Sequence, residues 1–292
     1  MAKGYLGNDA IRPMEKAMWD LCHAKGYDPH TAFTGLLDYV ISFFDVECKP
    51  VENWRFDSKD NKHFHNIMLE WLKVQQKEVA HLGWYDAFGD LYMAMHSKGG
   101  GKGQYFTPQA VSQMVAEVNL GDVEYKDGLG TRTPFGQRIT INDCAAGSGR
   151  LALAGYTVML DVMQKKWGWD ANKTRANRPY VIVEDLDYNC VKMQAINLAI
   201  HGCYGECVCH DTLTEPDVVR LGYIVGEADY PFPTGIPSIR KVLDPMRFVC
   251  TSQARRMRES EPVRKAEPQK EKKQQPITAE TKKPQQLTLW EL

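Results

Sequence analysis

Several features are missing from this chain, and each absence removes a class of function. No apolar run is long enough to cross a bilayer, and Met1 to Lys25 carries no signal-peptide pattern, so a cytoplasmic protein with no membrane role is expected. No Cys-x-x-Cys pair occurs. The eight cysteines are unevenly spaced and mostly embedded in apolar patterns, as reduced thiols are, which argues against a disulfide framework and a paired zinc site. Net charge is almost absent, at -1 from 36 basic and 37 acidic residues, so any attraction to nucleic acid must be local. There is no internal repeat, which excludes a solenoid. What is present is a chain of 292 residues, 43% hydrophobic and 25% charged, able to bury a sizeable core in one large or two modest domains.

The chain is organised around Ile139 to Leu151, ITINDCAAGSGRL. Ile139 and Ile141 alternate as in a buried strand, a cluster of small residues follows, and Leu151 to Met163 has helical periodicity. This is a strand, tight turn and helix. Gly147 and Gly149 let the backbone turn sharply and let a ligand approach where a Cβ would collide. A P-loop would need Gly-Lys-Ser/Thr, which Arg150-Leu151 does not supply. An Asp at the strand end, Asp143, suits a cationic or hydrogen-bond-donating ligand better than a phosphate.

Upstream, residues 1–98 read as a helical N-terminal domain. Ile11 to Lys25, Thr31 to Phe44 and His63 to Val79 space apolar residues three and four apart, with breaks at Asp28-Pro29 and Lys49-Pro50. The aromatic stripe in Leu82 to His96 reads as core. A glycine-rich hinge, Gly99 to Gly103, leads into Gln104-Tyr105-Phe106-Thr107-Pro108 and a helix over Gln109 to Val118, with Thr107 as its N-cap and Pro108 at its first position.

Five ordered strings carry a resemblance: G-Q-Y-F-T-P at Gly103 to Pro108, D-C-A-A-G-S-G at Asp143 to Gly149, E-D-L-D at Glu184 to Asp187, N-L-A-I-H-G at Asn197 to Gly202 and H-D-T-L at His210 to Leu213. Together they resemble DNA methyltransferases that act on adenine N6, especially the modification subunits of type I restriction systems. The helical first third, ending in D-A-F-G-D-L-Y, is similar to the helical domain of those subunits. The resemblance implies an α/β, Rossmann-like S-adenosylmethionine-binding fold over residues 99–251. It also implies DNA as substrate and a specificity or other subunit as a partner.

The residues fit that chemistry. Tyr180 to Val183 reads as a buried parallel strand ending in Glu184-Asp185, about 40 residues after the glycines where a dinucleotide fold has about 20, the excess being a linker over Ala171 to Arg178. Asp185, with Glu184 as runner-up, takes the ribose position. Asp187 caps a helix over Tyr188 to Ile200. A third strand, Cys207 to His210, ends at Asp211, which by resemblance accepts from the adenine amino group of the cofactor; the plain alternative is a capping Asp. By resemblance too, Thr107 and Pro108 close over the cofactor, and Asp143, Ala145, Gly147 and Gly149 shape its methionine side. Cys203, Cys207, Cys209 and His210 lack zinc spacing, and Cys144 reads as a packing residue.

The chain departs from the family after this point. The resemblance calls for Asp/Asn-Pro-Pro-Tyr/Phe at the end of a fourth strand, to hold the target amine and stack the flipped base. That tetrapeptide is absent. Its nearest substitute is Asp229-Tyr230-Pro231-Phe232 after a possible strand at Tyr223 to Val225, making Asp229, Pro231 and Phe232 the candidate catalytic residues. Only a short structured stretch follows, so an incomplete sheet is expected, covered by the helical domain or by a partner. Residues 252–292 read as a disordered tail: Ser252 to Pro284 has ten Lys/Arg against five Glu and almost nothing apolar. The tail ends in Gln286-Leu287-Thr288-Leu289-Trp290, which resembles the peptide by which bacterial proteins bind the DNA polymerase sliding clamp, with Gln286, Leu287, Leu289 and Trp290 as anchors. Two functions are thus open: an adenine-N6 methyltransferase, or a catalytically dead cofactor-binding adaptor on DNA or the replisome.

Overall fold

The computed structural model describes residues 9–48, 51, 54–96, 105–125, 139–227 and 237–251. The first four helices are α1 (Arg12–Lys25), α2 (Pro29–Phe44), α3 (Asn61–Leu82) and α4 (Ala87–His96). Asp28-Pro29, a break in the sequence pattern, is the start signal of α2. The Asp28 side chain accepts the Thr31 N–H, and Pro29 takes a first-turn position where no donor is needed. In α3 the buried residues Phe64, Ile67, Met68, Trp71 and Val74 recur at three- and four-residue intervals, the stripe that seats it on the core. Trp84, Tyr85, Phe88 and Tyr92 are all buried, so the aromatic stripe is core. Full burial of Phe33 and Phe88 contributes roughly 1.5–3 kcal/mol each.

After these come α5 (Gln109–Leu120), β1 (Thr140–Asp143), α6 (Arg150–Lys165), α7 (Ala171–Ala176), β2 (Tyr180–Asp185), α8 (Tyr188–Ile200), β3 (Tyr204–Cys209), β4 (Leu221–Val225) and β5 (Ile239–Lys241). Two local expectations are corrected. Thr107 does not cap α5: Pro108 is the N-cap, because its carbonyl already receives the first helical bonds, from Val111 and Ser112. Residues 171–178 are not a plain linker, since Asp170 accepts the Lys173 N–H and starts α7 there.

The sheet has strand order β1-β2-β3-β4-β5. The first three strands are parallel, with Asp143 opposite Val183 and Asp185 opposite Cys209, so their C-terminal tips share one end of the sheet. Then the direction reverses. Strand β4 is antiparallel to β3, with Leu221 opposite Cys209 and Val225 opposite Gly205, and β5 is antiparallel to β4. The connection from His210 to Arg220 holds no helix, and a parallel return would need a crossover of a dozen or more residues, usually helical.

One face of the sheet, with Val181, Val183, Cys207, Cys209, Tyr223 and Val225, lies in a core that includes α6, α8 and the N-terminal helices down to Ile11. Helix α2 packs on α8 and α5 packs on α6. The other face, with Tyr180, Ile182, Tyr204, Val208 and Ile224, is covered by Phe248 and Cys250. Glu206 fastens this cover: its carboxylate accepts the N–H groups of Val249 (2.8 Å) and Cys250 (2.7 Å) and the Tyr180 hydroxyl (2.8 Å).

Candidate functional site

The turn between Asp143 and α6 is held from three sides. Ala146 N–H donates to the Glu184 carbonyl (2.9 Å), Gln194 Nε2 on α8 donates to the Gly147 carbonyl (2.9 Å), and Asn197 Nδ2 donates to the Ser148 carbonyl (2.9 Å). Gly147 has φ +56°, and a Cβ there would stand 2.8 Å from the Phe106 ring. Glycine is therefore required twice over, by conformation and by space. Phe106 is backed by Tyr92, with ring centroids 5.3 Å apart. Gly149, also at positive φ, lies against Gln194, and Ala145 is exposed at the rim.

Two carboxylates crowd this turn. Asp143 ends β1; its Oδ1 accepts the Ala145 N–H at 3.3 Å, while its Oδ2 is buried with no hydrogen-bond partner among the described residues. Burial pushes its carboxyl above the usual range, and the charges of Asp185 and Glu184 add to that. Asp185 ends β2 and accepts from Gly147 N–H (2.8 Å) and Asp187 N–H (2.9 Å), yet burial still raises it. Among the described residues neither Asp forms a salt bridge. An unsatisfied buried oxygen costs about 1–3 kcal/mol. A ligand carrying a cation or several donors is what this arrangement can stabilise.

Asp211 lies two residues beyond β3, next to the Asp185 tip, where His210 N–H meets the Asp185 carbonyl (3.3 Å). Its Oδ1 accepts the N–H groups of Leu213 and Thr214, both at 3.0 Å, and the bonds from Thr214 hold its carboxyl below the usual range. One of its oxygens therefore serves its own turn. Glu184, the runner-up for the ribose position, is excluded from it: the side chain is buried beneath the tips, receiving His210 Nε2 at 2.6 Å and the Thr212 hydroxyl at 3.3 Å. His210 Nδ1 lies 2.8 Å from the Pro216 carbonyl. Burial alone would lower the His210 pKa, but the bonds to Glu184 and Pro216 outweigh it and raise it above the ordinary value. Glu184, His210 and Cys250 each offer a ligand atom within 4.8 Å of the others. Two tetrahedral zinc ligands at about 2.0 Å from the metal stand some 3.3 Å apart, so the 2.6 Å His210–Glu184 contact is that of a direct hydrogen bond.

The residue that sequence reading passed over is Arg150. Its sequence context shows only that it does not complete a P-loop, yet it is buried beneath the turn between Asp86 and Asp90. Asp86 also receives Ser148 Oγ and Asn197 Nδ2, and Tyr85 OH donates to Asp90 at 2.7 Å. The only signal was polar or charged residues within three short strings, D-A-F-G-D-L-Y, G-S-G-R and N-L-A-I-H-G. Thr107 is half-buried, Pro108 is exposed, and the Thr107 carbonyl lies 3.3 Å from Arg150 Nη1. Cys144 is exposed, not packed, because the turn projects it away from the core.

Asp229, Pro231 and Phe232 lie outside the described residues, as do Gln286, Leu287, Leu289 and Trp290. The residues that bracket the first group are described. Gly226 N–H donates to the Ser238 carbonyl (3.0 Å) at the end of the sheet opposite the Asp185 tip. A cavity of about 580 Å³ between α2, α8 and β4–β5 shares no lining residue with the turn, and Lys192 and Asp38 in its wall pair with each other at 2.6 Å.

A family model described as N-6 DNA Methylase matches residues 84–234, just over half of the chain. The type I restriction enzyme MpnII methylase subunit of Mycoplasma pneumoniae (strain ATCC 29342 / M129 / Subtype 1) is 30% identical over 113 residues, covering 35% of this chain and 19% of that protein. The chain thus matches about a fifth of the length of this relative. No solved structure matches.

Proposed function

Because the chain belongs to the N-6 DNA methylase family, we propose that the tips of β1, β2 and β3 form a Rossmann-like site for S-adenosylmethionine on a DNA-binding protein. The observation that carries this reading is the Oδ2 of Asp143, without a hydrogen-bond partner among the described residues, beside Asp185 at a glycine turn. Two raised carboxylates with no salt-bridge partner among the described residues suit a ligand that brings positive charge and several donors. Asp143 takes the ammonium of the methionine moiety, Asp185 takes ribose hydroxyls, and the remaining oxygen of Asp211 takes the adenine amino group. Ala145, Gly147 and Gly149 leave room for the chain of the ligand, and Thr107 and Pro108 close over it. When bound, the cofactor supplies an electrophilic methyl on its sulfonium, and the acceptor amine loses a proton as it gains that methyl. Asp229, Pro231 and Phe232 are the acceptor and stacking groups if transfer happens on this chain. A specificity or other subunit completes target recognition.

A second reading is favoured by the direction of β4. Running antiparallel to β3, it ends at Val225, opposite Gly205, at the far end of the sheet from the tips that carry Asp143 and Asp185. On this reading the protein is a cofactor-binding adaptor on DNA, docking on the sliding clamp through Gln286 to Trp290, and transfers no methyl group itself. Calorimetric titration of the intact chain with S-adenosylmethionine and S-adenosylhomocysteine, beside Asp185→Ala, tests the shared claim; silence at millimolar ligand sinks it. Methyl incorporation into adenine-rich duplex, lost in Asp229→Ala, supports the enzyme, and none with intact protein supports the adaptor.

A further inference from the structure

Four pieces of the chain meet under the glycine turn at Arg150, which is 5% exposed. Its Nε donates to Asp86 Oδ2 (2.7 Å), its Nη2 to Asp90 Oδ1, and its Nη1 to the main-chain carbonyl of Thr107 (3.3 Å). Asp86 is fixed in turn by Gly89 N–H (2.8 Å), Ser148 Oγ and Asn197 Nδ2 (2.7 Å). The planar guanidinium thus has two edges clamped by the N-terminal helical part and a third on the segment entering α5. That segment carries Phe106, whose ring lies over Gly147.

Stability alone is a poor explanation for this group. Desolvating a guanidinium and two carboxylates is costly enough that a packed apolar cluster of the same volume often serves as well or better. What the ionic cluster adds is a fixed fork geometry, which a lysine cannot reproduce.

We propose that Arg150 is a positioning residue: through the Thr107 carbonyl it sets the Phe106–Thr107 wall of the cofactor pocket against the glycine turn. This rests on the cofactor reading above and deepens it. The alternative is that the Phe106–Tyr92 ring contact holds the wall by itself.

The test uses the full chain as wild type, Arg150→Lys, Phe106→Leu and the double variant, titrated calorimetrically with S-adenosylhomocysteine, with hydrogen exchange read at the amides of Tyr105, Phe106 and Thr107. Arg150→Lys should weaken binding about tenfold or more and speed exchange at those three amides while α2 and α8 keep their protection. The double variant should bind about as weakly as the weaker single, because both changes act through one segment. Should Arg150→Lys not fold, Asp90→Asn loosens one edge of the fork and is expected to show a smaller loss with the same coupling to Phe106→Leu. Wild-type binding with unchanged affinity in the variant, or strictly additive losses, overturns the positioning role alone. A wild type that binds nothing overturns the cofactor reading and this role with it.

Discussion

The backbone N–H of Gly147 donates to Oδ2 of Asp185 at 2.8 Å, and Oδ1 of the same carboxylate accepts the Asp187 N–H at 2.9 Å. One side chain therefore ties the turn after β1 to the tip of β2 and to the start of α8. Asp187 in turn caps α8 by accepting from Asn189 and Cys190.

Replacing Asp185 separates its two roles. Asp185→Asn keeps one acceptor oxygen, sets an NH2 against the second N–H and removes the charge, and should weaken cofactor binding about tenfold with a smaller loss of stability than Asp185→Ala. Asp185→Ala should abolish measurable binding and also cost about 1–3 kcal/mol of stability, because two N–H groups lose their acceptor. Calorimetry and thermal unfolding read the two effects apart.

Asp143 is expected to trade stability for binding. Its folded-state carboxyl is raised above the ordinary 3.8, first by burial. Ionisation is thus disfavoured by the fold, and the penalty is present at neutral pH and fades as pH falls through the raised value toward 3.8. Asp143→Asn should melt at a higher temperature than wild type at neutral pH and bind the cofactor more weakly. For the wild type, affinity should decline on acidification earlier than an ordinary carboxylate would predict.

His210 and His201 should act in opposite directions. His210, raised above 6.5 by its bonds to Glu184 and Pro216 against the effect of burial, adds stability that is fully present below 6.5 and is lost as pH rises through its folded value. His201 is lowered by burial; its Nε2 accepts the Tyr85 N–H at 3.2 Å and its Nδ1 faces the Asn197 carbonyl at 2.7 Å, so the neutral ring is the folded form. It costs stability progressively as pH drops below 6.5. Melting temperature measured from acid to alkaline pH should lose its alkaline decline in His210→Gln and part of its acid decline in His201→Gln.

Gly89→Ala tests the buried charge cluster. A Cβ at this position would stand 1.9 Å from Asp86 Oδ2 and 2.7 Å from Ser148 Oγ, displacing the carboxylate that holds Arg150. Breaking a buried ion pair costs about 3–5 kcal/mol, so chemical denaturation should show a loss of that order.

Deleting Gln286 to Leu292 should leave melting temperature and cofactor affinity unchanged and remove binding to a bacterial sliding clamp. Retained clamp binding in the truncated chain would dismiss the terminal peptide as the docking element.

Much of this protein is written locally. The helix over Tyr188 to Ile200 was legible to the residue because Asp187 caps it and Gly202 follows it, and the short apolar run at Tyr180 to Val183 was legible as a strand because buried parallel strands are uniformly apolar. The glycine turn and the aspartates that end β1 and β2 were legible for the same reason, since each depends on residues adjacent in sequence. Pairing is different. The direction of β4 depends on how much chain separates it from β3 and whether that chain can form a crossover helix, and the five residues from Leu221 to Val225 read the same either way. The fate of buried polar and charged residues was also decided in three dimensions. Asp86, Arg150 and Asn197 lie more than a hundred residues apart from first to last, and only packing α4, α6 and α8 together makes a buried arginine tolerable by giving it two carboxylates at once. Glu184 and Asp185, neighbours in sequence, were parted by the alternation of a strand: one side chain goes under the sheet to His210, the other to the glycine turn.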